Sequence, residues 1–150
     1  MDVIEVLNAE REAIIEAAAK SLGRSNVPHY AEAGASLSRD RLAELYELLV
    51  ESVTKRDLRP MIEHSERVAR ERFAAGFDIR EVQIAFNVLE EATWAAVVDA
   101  VPPRDLAQAI GMVGTAVGAG RDALARAYVS LASHEHVRSL DLSALFRGVS

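Results

Sequence analysis

The chain has 150 residues, half of them hydrophobic and 27% charged, which suits one domain with a real apolar core. Its formal net charge of -6 argues against a surface made for nucleic acid or anionic lipid, since both need concentrated basic charge, and no apolar run approaches the roughly 20 residues of a membrane span. There are no cysteines, which excludes disulfides, thiolate metal sites and thiol nucleophiles, and the acidic start Met1-Asp2-Val3-Ile4-Glu5 lacks the basic segment of a signal peptide and predicts a cytoplasmic protein.

Alanine, leucine and glutamate dominate, and strand-like alternation is scarce, so the expected fold is all-α: about five main helices and a C-terminal helical tail. The first helix is expected from about Asp2 to Leu22, with Ile4, Leu7, Ile14, Ile15, Ala18 and Leu22 on one face and Gly23 closing it. Residues 24–37 contain Pro28 and Gly34 and read as a loop. The second helix runs from about Ser38 to Lys55, with Leu42, Leu45, Tyr46, Leu49 and Val53 inward. The third starts after Asp57 with Pro60 in its first turn, where a missing N–H does no harm.

The segment from Arg70 to Val97 holds the sharpest local signal. Gly76 stops one helix, Asp78 caps the next, and Glu81 stands three residues on, where a capping box needs it. The fourth helix then runs from about Ile79 to Ala100 and stops at Pro102-Pro103.

The fifth helix, from about Pro103 to Ser133, carries a large stripe (Leu106, Ile110, Val113, Val117, Leu124, Tyr128 and Leu131) beside a small one (Ala107, Gly111, Gly114, Gly118 and Ala125). A glycine within a helix costs about 1 kcal/mol relative to alanine. Three in one stripe therefore predict close approach of another helix, and the small stripe, with Leu140 and Leu145 in the tail, is the expected dimer surface. The division expected is a helical domain over residues 1–135 and a tail or linker over 136–150.

The polar residues spell out no reaction. There is no Ser/His/Asp set, no phosphate loop and no dinucleotide fingerprint, so an enzyme is not expected, nor a cofactor or metal. His134 and His136 at i,i+2 diverge on a helix and cannot share an ion there. His64 is placed partly outward, exposed or ion-paired; its alternative role is a haem ligand. The alternating Glu63, Glu66, Glu71 and Arg67, Arg70, Arg72 predict a solvated face with weak i,i+4 pairs, which becomes an anion site if one arginine turns inward near Gly76. Trp94 is expected in the core, its indole N–H needing a partner. Tyr30, beside His29 in the loop, is a loop anchor or the roof of a pocket. Tyr30, His64, Arg72, Phe86 and Trp94 together are the candidate ligand or signal pocket.

Three stretches resemble a known family: Val27-Pro28-His29-Tyr30 before a Leu-rich helix, the segment A-R-E-R-F-A-A-G over 69–76, and F-D-I-R-E-V-Q-I-A-F-N-V-L-E-E-A-T-W over 77–94. An arginine four residues before a glycine, then a D/S-x-x-E-V helix start and a tryptophan 18 residues past that glycine, is similar to the N-terminal sensor domain of stressosome RsbR proteins, the RsbT co-antagonist N-terminal domain. Similar domains stand at the front of some sensor kinases and PucR-like regulators. The resemblance covers about residues 1–135. It implies a globin-like fold without haem, a homodimer, and relay of a stress signal to a partner signalling protein or a fused output domain, usually a phosphoacceptor STAS domain. It carries over no catalytic residue. The alternative is a haem- or small-ligand-binding globin relative with His64 as axial group.

Overall fold

Six helices build the described part of the chain: α1 (Val3–Ala9), α2 (Arg11–Arg24), α3 (Ala35–Lys55), α4 (Arg59–Ala74), α5 (Ile79–Ala100) and α6 (Pro103–Ser139). The computed structural model describes residues 1–25, 28–29 and 34–139, and among these helix is the regular secondary structure throughout, an all-α bundle.

Local sequence explains the boundaries. The Asp2 carboxylate accepts the Glu5 N–H at 2.9 Å and starts α1. The single helix expected from Asp2 to Leu22 is two, because Glu10 leaves helical geometry at φ -101 and ψ 13. The break coincides with a lapse in the apolar stripe, since no side chain from Asn8 to Ala13 is buried. Gly23 does not close α2 by a left-handed turn; it stays helical, and the Ser25 N–H reaches the carbonyls of Ser21 and Leu22. The bounds of α5 match the expected ones. α6 continues past Ser133 to Ser139, through the expected boundary at 135/136.

The core sits where α6 packs on α4 and α5 while α2 lies across α5 and α3. Leu7, Ile14, Ile15, Leu42, Tyr46, Leu49, Met61, Leu89 and Leu124 are sealed within it. The Tyr46 hydroxyl donates to the Leu7 carbonyl at 2.6 Å and fastens α1 to α3; burial raises its pKa above the ordinary phenol value. Opposite, Arg121 of α6 donates to Glu90 of α5 at 3.2 and 3.4 Å and to Asn87 at 3.0 Å.

Candidate functional site

The turn between α4 and α5 organises the site. Gly76 takes φ +87, open to glycine without a Cβ penalty. Its N–H reaches the Phe73 carbonyl at 3.1 Å and the Phe77 N–H reaches Arg72 at 2.9 Å, the paired bonds of a Schellman stop. Asp78 then accepts the Glu81 N–H at 3.1 Å while Glu81 Oε1 accepts the Asp78 N–H at 3.1 Å, so the capping box is present as expected.

The second Glu81 oxygen has a partner that local sequence did not reveal. His29 Nδ1 lies 2.6 Å away, and the His29 ring stacks on Phe77 with centroids 4.3 Å apart. Burial opposes the charge on Glu81, but the bonds from His29 and from the Asp78 N–H outweigh it and hold the carboxyl below its usual range. Glu81 is therefore ionised at neutral pH and the His29 Nδ1–H is the donor. Phe77 is pinned further by the Tyr128 hydroxyl of α6, which donates to its carbonyl at 3.1 Å. The Arg72 guanidinium stands 5.7 Å from the Phe77 ring centre.

Behind this turn lies a cavity of about 100 Å³. Leu42 and Leu45 of α3 and Val82 and Phe86 of α5 give it apolar walls, and Arg41, Glu44, His64, Arg67, Glu71 and Arg72 also line it. Of the expected pocket residues, His64, Arg72 and Phe86 meet here. Trp94 does not: it is half-buried across the bundle, its Nε1–H donating to the Ile110 carbonyl at 3.4 Å. Tyr30, like Leu140 and Leu145, lies outside the described residues.

Two expectations on α4 need correction. His64 does not face partly outward; it is 8% exposed, with Nδ1 3.6 Å from Glu44 Oε1. Burial is the main cause that lowers its pKa, and Arg67 and Arg72 act in the same sense against Glu44 and Glu71, so His64 is neutral at pH 7. The supposed solvated face also fails at Arg72. This side chain is only 13% exposed, its Nε is buried without a hydrogen-bond partner, and its Nη1 is 3.5 Å from Glu71. The reason is the stop at Gly76: Arg72 stands on the last turn of α4, on the face that closes over Phe77. Small-molecule sites usually span roughly 300–1,000 Å³, so a haem on His64 would need this part of the core to open.

Sequence reading missed Arg41 and Glu44. The signal for Arg41 was weak but present, since Ser38, Arg41 and Leu45 recur at helical spacing beside the Leu42 stripe; Glu44, an exposed residue, had none.

The small stripe of α6 divides. Gly114 backs onto Trp94, whose Cζ2 would lie 3.6 Å from an added methyl. Gly111 and Gly118 meet nothing within 4 Å, and Ala107 is exposed. The intimate helix contact is at Gly120 instead, outside that stripe, where an added Cβ would lie 2.8 Å from Met61 Sδ. His134 and Glu135 are exposed, and no cluster of metal-ligating side chains occurs among the described residues.

This is an all-helical module whose described polar side chains serve caps, turns, inter-helix bonds and the cavity behind the α4–α5 turn. Residues 6–143 match the sequence model of the RsbT co-antagonist protein rsbRD N-terminal domain, and the chain belongs to that family. No curated protein and no solved structure matches it. Membership places the domain in stressosome signalling, a sensor-type domain of the co-antagonist class. No described helix is long and apolar enough to cross a membrane.

Proposed function

We propose that the chain is a non-catalytic, cytoplasmic, globin-like sensor module that forms a homodimer along α6 and passes a signal through helix packing and dimer geometry. Its output would be a partner of the stressosome, such as RsbT, or an output domain in the same polypeptide. The observation that carries the dimer is the state of α6. Gly111 and Gly118 open onto empty space, although glycine in mid-helix costs about 1 kcal/mol relative to alanine, a cost that close packing of a second helix would offset. Beyond Tyr128, no side chain through Glu135 is buried, and Val129 is 63% exposed. A helical end with so little support from its own bundle is stabilised by a second copy. Two packed helices can exchange between discrete arrangements, which is what a relay requires.

Light scattering on the eluting protein tests this. The expected mass at micromolar concentration is twice the 16.3 kDa of the chain, shifting toward one chain in Gly118→Leu. Gly114→Leu is a poor probe, because it would strike Trp94 within the protomer. A wild-type chain that runs as a monomer would remove the reading.

A further inference from the structure

The dimer reading makes no use of the cavity behind the α4–α5 turn. Its walls are hydrocarbon from Leu42, Leu45, Val82 and Phe86. Among the described residues its charged lining is Arg41, Arg67 and Arg72 with Glu44 and Glu71, and Arg41 already has a partner. The described lining from α2 and α5 adds no charge. Arg72 carries the sharper clue, because its Nε is buried and has no hydrogen-bond partner. A buried donor left unmade is unfavourable, and a planar carboxylate is the natural partner of a guanidinium edge.

We propose that this cavity binds a small organic monocarboxylate, with its carboxylate on Arg72 beside Arg41 and its short aliphatic tail against Phe86 and Leu45. The volume of about 100 Å³ suits a ligand of several non-hydrogen atoms. Inorganic phosphate fits less well. It would leave the apolar wall bare, and its second negative charge would face Glu44 and Glu71. The site stands on the cavity alone and does not need the dimer.

The test is a titration of the full ¹⁵N-labelled chain with propionate, its neutral isostere propionamide, and inorganic phosphate, at constant ionic strength. Propionate is expected to give saturable shifts centred on residues 64–72 and 82–86. Propionamide and phosphate should each bind at least about tenfold more weakly. Arg72→Gln should weaken propionate by a similar factor with helicity unchanged. Absence of saturable propionate binding, equal affinity for propionamide, tighter binding of phosphate, or indifference to Arg72→Gln would each overturn the site. If Arg72→Gln does not fold, the wild-type comparison of propionate with propionamide still decides, and Arg41→Gln repeats the mutational arm. A monomer that binds propionate would sink the dimer and leave this site standing.

Discussion

Gly120 of α6 lies so close to Met61 of α4 that a methyl group at position 120 would sit 2.8 Å from the Met61 sulfur and 2.9 Å from Ser65 Oγ. Met61 and Ser65 are themselves fully buried. The bare backbone of Gly120 packs directly on the Met61 and Ser65 side chains of α4, and this contact leaves no room for a side chain on α6 at that point.

Filling that contact should therefore be costly. Gly120→Leu is expected to lower stability by about 1–3 kcal/mol, the range for overpacking a close-packed core. Gly23→Ala is the control, since Gly23 is exposed in α2 with nothing within 4 Å of a new Cβ; it should gain about 0.5–1 kcal/mol from helix propensity alone. Urea unfolding midpoints measured at one protein concentration read both. Equal effects would mean that α4 and α6 do not approach as closely as described.

The α4–α5 turn makes a second prediction. Asp78→Ala removes one half of the capping box and should cost about 1 kcal/mol. Gly76→Ala forces a Cβ into a left-handed residue at φ +87 and should cost about 1–2 kcal/mol. Hydrogen exchange should show faster opening at the start of α5 in Asp78→Ala and at the end of α4 in Gly76→Ala.

That turn was legible because its signals are local. Gly76, Asp78 and Glu81 lie within six positions and fix their own geometry. The stripes of α3 and α5 were legible for the same reason, since a helix face follows from spacing. The site was legible only in part. His64, Arg72 and Phe86 do meet in one cavity, yet which way His64 and Arg72 turn depends on α3 and on Phe77, partners that spacing within α4 cannot reveal. The bond from His29 to Glu81 spans 52 residues and leaves no periodic trace. The glycines of α6 show the limit most plainly. Their pattern predicts close approach, but Gly120 makes it within the chain while Gly111 and Gly118 do not, and only the rotation of α6 distinguishes them.

Arg121 and Glu90 supply a third prediction. The Glu90 side chain is 9% exposed and its partner 30%, so removing the guanidinium leaves a carboxylate with little water to replace it. Arg121→Ala should cost about 2–3 kcal/mol, below the usual range for a fully buried pair because Arg121 keeps some solvent contact. Replacing both partners in Glu90→Gln, Arg121→Met should cost less than Arg121→Ala. A double-mutant cycle by chemical unfolding measures the coupling, and a coupling near zero would show that the pair contributes nothing.

Acid should weaken the fold in two stages. The folded-state pKa of His64 is lowered, first by burial, among Arg41 and Glu44 of α3 and Arg67, Glu71 and Arg72 of α4. The unfolded chain therefore takes up this proton first, and stability falls as pH drops below the ordinary value of 6.5. The folded-state pKa of Glu81 is also lowered, so its contribution is present above the ordinary value of 4.5 and is lost as pH falls from there through the folded value. Unfolding midpoints between pH 8 and pH 3, with ~0.15 M salt to limit long-range charge effects, should show both losses. His64→Gln should flatten the curve in the upper window alone, and Glu81→Gln in the lower window alone. If His64→Gln leaves the slope below pH 6.5 unchanged, the histidine is not buried in its neutral form.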